Sequence, residues 1–138
     1  MPPRKSEHKG RCLCGGVAYT VLGPLRDVWN CHCERCRRTT GHFMAATQAA
    51  GADLRMDAEA TLRWYTPEDE PGISYGFCNR CGGSVFWQVR GAERISICAG
   101  TLDQPTGLTT AGELFAAEVG DYETPAAGFR SFEGDRPG

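Results

Sequence analysis

Seven of the eight cysteines in this chain fall into three tight clusters: Cys12 and Cys14 in C-L-C, Cys31, Cys33 and Cys36 in C-H-C-E-R-C, and Cys78 and Cys81 in C-N-R-C. Thiolates at C-x-C and C-x-x-C spacing are ligands for a soft divalent metal, zinc above all. Two clusters of two make a closed tetrahedral shell of the kind that holds structure together. Three thiolates leave a fourth position for water or a thiol that can react. The count therefore predicts a structural zinc on Cys12, Cys14, Cys78 and Cys81, and a second, chemically open zinc on Cys31, Cys33 and Cys36. That makes two Zn2+ per chain. Spacing favours zinc over iron, although four thiolates also suit iron.

Several residues bear on whether the second shell stays open. His32 lies between two cysteines expected on one face, so it should point away and serve in hydrogen bonding or packing. His42 follows six residues after Cys36 and can fold back, and Cys98 is the eighth cysteine, otherwise read as a small buried hydrophobe. Either would close the shell. Arg35, Arg37 and Arg38 crowd the same loop and admit two readings: a rim that binds a substrate carboxylate bidentately, or a solvated face that offsets an anionic zinc–thiolate cluster.

These ligands need a scaffold that converges early and middle parts of the chain. Residues 17–21, 28–30, 43–48, 61–65, 73–77, 84–90 and 94–98 are rich in β-formers, and the last of these alternates polar and apolar as a half-buried strand does. Residues 34–40 read as a short helix ended by Gly41. Residues 51–59 read as an alanine-rich turn or short helix, 67–72 as a loop, 100–110 as turn-rich and 113–119 as a last strand. Trp29, Phe43, Trp64, Phe77, Phe86 and Trp87 each fall in an expected strand or directly beside one and read as core. With 18 glycines and 8 prolines among many short strands, the fold class is mainly β with bent sheets. One zinc-binding domain over residues 10–132 is expected, between a flexible lead (1–9) and a flexible tail (133–138).

The charge balance, 15 Lys and Arg against 17 Asp and Glu, gives no basic surface for nucleic acid. No apolar run is long enough to span a bilayer, and the basic start, MPPRKSEHKG, lacks the apolar stretch of a secretory signal. A reducing, cytoplasmic setting is the expectation, in which such clusters bind metal; in an exported chain they would instead read as disulfides.

In order and composition these motifs resemble the glutathione-dependent formaldehyde-activating enzymes, a family that includes centromere protein V-like proteins. The matching stretches are G-R-C-L-C-G-G-V-A-Y (10–19), N-C-H-C-E-R-C-R-R-T-T-G (30–41), F-C-N-R-C-G-G-S-V-F (77–86) and A-G-T-L-D (99–103). The resemblance implies a β-tent, a set of small antiparallel sheets pinned by zinc, with the ligand sets given above. It also implies a carbon–sulfur lyase that forms or cleaves the S-hydroxymethyl adduct of glutathione, or a similar small thiol, and formaldehyde. Near the C-terminus the chain departs from the family's pattern, with Glu113 where a histidine is common and G-D-Y-E (120–123) in place of a tryptophan-containing stretch. The resemblance makes Cys31, Cys33 and Cys36 the catalytic centre. The alternatives are a non-enzymatic zinc module for a protein partner, and a thiol-redox role for the three-cysteine loop. Oligomeric state is not legible.

Overall fold

A computed structural model describes residues 7–124 and 130–136 of the chain. Eleven strands follow in order: β1 (Glu7–Arg11), β2 (Ala18–Leu22), β3 (Val28–Cys31), β4 (Met44–Ala50), β5 (Leu54–Ala58), β6 (Leu62–Tyr65), β7 (Ile73–Cys78), β8 (Ser84–Val89), β9 (Arg94–Cys98), β10 (Thr110–Leu114) and β11 (Arg130–Ser131). One α-helix, α1 (Glu34–Thr40), follows β3, and three single-turn 3-10 segments fill connections. The fold is mainly β with small, chiefly antiparallel sheets. Contacts divide it into two compact units: residues up to Arg26 with Thr47–Gly107, and Asp27–Ala46 with the chain from Leu108 onward.

In the first unit, β1, β2 and β5 form a three-stranded antiparallel sheet, with Glu7 opposite Leu22 and Val21 opposite Leu54. The antiparallel order β9-β8-β7-β6 forms the other layer. Tyr19, Val17 and Val21 from one side and Phe86, Val85 and Ile97 from the other are almost wholly excluded from solvent, and the Tyr19 and Phe86 rings meet at 5.4 Å. Each such side chain contributes about 1.5–3 kcal/mol by leaving water.

In the second unit the order is β11-β10-β3-β4, with β10 parallel to both β3 and β11 and β3 antiparallel to β4. Parallel pairing here joins segments far apart in sequence, so no tight turn constrains its direction. Trp29 is the core of this unit. It faces Gly112 in register, packs against Phe132 at 5.9 Å, and carries the guanidinium groups of Arg130 and Arg136 over its ring.

Several sequence expectations are corrected. Residues 7–9, read as part of a loose lead, belong to β1, where His8 is buried opposite Val21. Residues 51–59 are a 3-10 turn and then β5, whose Leu54, Met56 and Ala58 alternate with exposed Arg55 and Asp57. The last strand of the central region starts earlier and stops sooner than 113–119. β10 ends at Leu114 because Phe115 takes a left-handed conformation, φ 54°, uncommon for a bulky residue. In the expected tail, the Gly134 carbonyl accepts the Phe115 N–H at 2.8 Å, and just before the tail the Phe132 carbonyl accepts that of Ala116. The remaining tail residues, 137–138, and most of the lead, 1–6, lie outside the described residues.

Candidate metal centres

Cys12 and Cys14 stand outside the strands. They lie in the turn between β1 and β2, where the Gly15 N–H bonds the Cys12 carbonyl and Arg11 bonds the carbonyls of Cys12 and Leu13. The turn brings their sulfurs to 3.7 Å, with Leu13 standing 84% exposed between them. Cys78 closes β7 and Cys81 lies in the β7–β8 turn. Here the Gly82 N–H reaches the Cys78 carbonyl at 2.8 Å with φ at 76°, a conformation glycine adopts freely.

All four sulfurs lie within 4.8 Å of one another, and Cys14 to Cys78 is 3.6 Å. A tetrahedron with Zn–S bonds of about 2.3 Å has edges of about 3.8 Å, so the four thiols fit a tetrahedral thiophilic ion. Backbone N–H groups of Gly16, Val17, Arg80 and Cys81 point at these sulfurs. The Thr61 hydroxyl, 3.2 Å from the Cys78 sulfur, is the largest influence drawing that thiol down to about 6. These donors favour thiolates. The eight cysteines are unbridged, so the disulfide reading has no counterpart in the structure.

The second group is built by β3 and α1. Cys31 ends β3, Cys33 is the N-cap of α1, and Cys36 is buried in its first turn. The Cys33 sulfur accepts the Cys36 N–H at 3.4 Å, taking the place an Asp or Ser usually fills. Gly41, φ 89°, ends the helix by donating to the Arg37 carbonyl. The three sulfurs lie within 4.8 Å of one another. The thiols of Cys31 and then Cys36, donating to Cys33, hold it far below the ordinary thiol value. Cys31 rises to about 12, chiefly through Cys33, and Cys36 rises further, chiefly through Cys31. Three thiols this close ionise together only if a cation shares the charge, which fits the group to a metal.

Among the described residues, the three-sulfur group includes no fourth cysteine, histidine or carboxylate. Cys98 belongs to neither group. Burial pushes its thiol up to about 12, as for a small packed hydrophobe. His32 and His42 are engaged elsewhere. The His32 ring meets Glu113 through Nε2 and faces Glu123 through Nδ1 at 3.5 Å. Glu123 in turn reaches His42 Nε2 at 2.7 Å, and Tyr122 pairs its hydroxyl with His42 Nδ1 at 2.9 Å. Phe43 lies between the two imidazoles, with centroids 5.1 and 4.5 Å away. Glu118 accepts the Glu34 N–H at 3.1 Å.

The three arginines separate. Arg38 is exposed and paired with Glu34 one helical turn back, at 2.9 Å, the solvated-face reading. Arg35 is also exposed. Arg37 is half-buried, and its Nε is buried with no hydrogen-bond partner among the described residues.

A sequence profile described as glutathione-dependent formaldehyde-activating enzyme matches residues 7–118. The chain belongs to that family. All seven clustered cysteines lie inside the matched region of this formaldehyde-activating family member. A solved structure described as a Rhodobacter sphaeroides protein is similar to it, with 28% identity and a TM-score of 0.59, covering 74% of this chain and 97% of the other. Curated proteins gave no match. Among the described residues, no helix is long and apolar enough to cross a membrane.

Sequence reasoning missed Thr61, Glu113 in its pairing with His32, Glu118, Tyr122 and Glu123. The one signal available was the departure from the family's pattern at 113 and 120–123.

Proposed function

We propose that this formaldehyde-activating family member is a zinc-dependent carbon–sulfur lyase acting in the cytoplasm on the adduct of a small aldehyde and a small thiol such as glutathione. The observation that carries this reading is the contrast between the two cysteine groups, four sulfurs in one and three in the other. Cys12, Cys14, Cys78 and Cys81 would hold a structural zinc, and Cys31, Cys33 and Cys36 a second one with a free position. Zinc bound there supplies a Lewis acid that keeps an incoming thiol ionised at neutral pH.

In the forward direction the sulfur forms a bond to the aldehyde carbon, the carbonyl π pair moves to oxygen, and the proton lost by the thiol ends on that oxygen. The protein's part is to hold thiol and aldehyde together, since positioning alone lowers such a barrier. Arg37 is the strongest of the three candidate substrate contacts. Its buried Nε lacks an acceptor among the described residues, a state costing about 1–3 kcal/mol that an incoming carboxylate relieves. Arg35 and Arg38 would contribute charge at the rim.

The test is the exchange rate between free formaldehyde and its thiol adduct, measured by magnetisation transfer, with zinc content measured beside it. Wild type should hold two zincs and accelerate exchange. Cys33→Ala should hold one and fall to the uncatalysed rate, and retention of full rate in that variant sinks the proposal. The alternative, a zinc module for a protein partner, draws on Trp64 and Tyr65, 39% and 59% exposed on the edge strand β6. It is favoured if two zincs bind and no thiol or aldehyde exchange is accelerated.

A further inference from the structure

The loop carrying Cys31, Cys33 and Cys36 is gripped at four points by one later stretch of chain. The Leu114 carbonyl accepts the His32 N–H at 2.9 Å. Glu113 takes His32 Nε2, with both side chains almost fully buried at 6% and 3% exposure. Glu118 accepts the Glu34 N–H. Glu123 then lies between the two histidines, 3.5 Å from His32 Nδ1 and 2.7 Å from His42 Nε2.

His32 separates Cys31 from Cys33, and His42 follows the cap of the helix that carries Cys36. Glu123 therefore ties the first part of the thiol loop to the far end of its helix. The left-handed turn at Phe115 makes this route possible. It stops β10 and turns the chain into the 3-10 segment Ala116–Glu118, which delivers Glu118 and then Tyr122 and Glu123. An uncommon backbone conformation of this kind costs about 1–3 kcal/mol and persists where its surroundings demand it.

We propose that residues 113–123 form a strap that sets the spacing of the three thiols, and that Glu123 is its positioning residue. The inference rests on the reading of this loop as the open metal site. Glu123 does not belong to the three-sulfur group. It acts through His32 and His42, in the way that outer carboxylates orient the ligands of metal sites.

The experiment is Co2+ titration of the metal-free full chain, followed by thiolate-to-cobalt charge-transfer and d–d absorption, for wild type, Glu123→Ala, Glu123→Gln and His42→Ala. The four-cysteine group serves as an internal control in every sample. Glu123→Ala should weaken the second equivalent by about 10–100-fold and alter its d–d bands, with the first equivalent unchanged. Glu123→Gln should recover most of the loss, because an amide still spans the two imidazoles. His42→Ala, which leaves the buried Glu113–His32 pair in place, should weaken the site in the same direction but less, and it carries the test if Glu123→Ala does not fold. Second-site affinity and bands like those of wild type in Glu123→Ala and His42→Ala overturn the strap. A wild type that takes up only one cobalt overturns the open-site reading itself, and the strap with it.

Discussion

The His32 ring and the Glu113 carboxylate form a buried pair, Nε2 to Oε2, joining the residue between two cysteines to the penultimate residue of β10 across 81 positions of sequence. Both ring nitrogens of His32 face carboxylates.

Removing one partner of such a pair leaves the other buried and uncompensated. Glu113→Ala should cost about 3–5 kcal/mol, read from urea unfolding of the zinc-loaded chain. Glu113→Gln, which keeps an acceptor, should cost clearly less. Equal stability of wild type and Glu113→Ala would mean that the pair is not formed in solution.

The arginines of α1 should behave unequally. Arg38→Ala removes an exposed pair worth about 0.3–0.5 kcal/mol and should raise the KM for the thiol no more than about 2-fold. Arg37→Ala should raise that KM, about 10-fold if one charged hydrogen bond of about 1.5 kcal/mol is lost. Steady-state kinetics on both variants decide this, and equal KM values would remove Arg37 from the substrate site.

Tyr19 gives a pH dependence. Burial raises its phenol well above the ordinary value of 10.0, against a lowering by the 2.7 Å bond to Thr101. A folded-state value above the unfolded one means the stability is fully present below pH 10 and falls as pH rises beyond it. Tyr19→Phe should cost about 1 kcal/mol at neutral pH through the lost hydrogen bond. It should also flatten the decline in unfolding free energy above pH 10. An alkaline slope identical to that of wild type would count against a buried phenol.

Gly112 makes room for the Trp29 core. A methyl group there would lie 2.6 Å from the indole and against the Arg130 carbonyl. Gly112→Ala should cost about 1–3 kcal/mol by overpacking. Chemical denaturation followed by tryptophan fluorescence checks this, and an unchanged midpoint would place Trp29 elsewhere.

What was legible in the sequence were features whose cause is local. Cysteine spacing announced the two sulfur groups, Gly41 marked the end of α1, and the alternation of Arg94–Cys98 marked β9. β1 was not legible, because Glu-His-Lys-Gly-Arg holds no strong β-former and becomes a strand only by pairing with β2. β5 was obscured by alanine and aspartate around a short alternation, and β11 is two residues long. The partners of His32 were beyond reach for a similar reason. Glu113 and Glu123 come to it through parallel pairing and a left-handed turn, and neither has a period of its own in the sequence.

Leu13 has a practical use. Its side chain projects into water from a turn whose two flanking residues direct their sulfurs into the four-cysteine group. An environment-sensitive fluorophore at position 13 would stand one residue from two of the four clustered thiols without displacing a packed atom. The chain thereby offers an attachment point for an optical reporter of metal loading, readable in a living cell while the three-cysteine loop is left untouched.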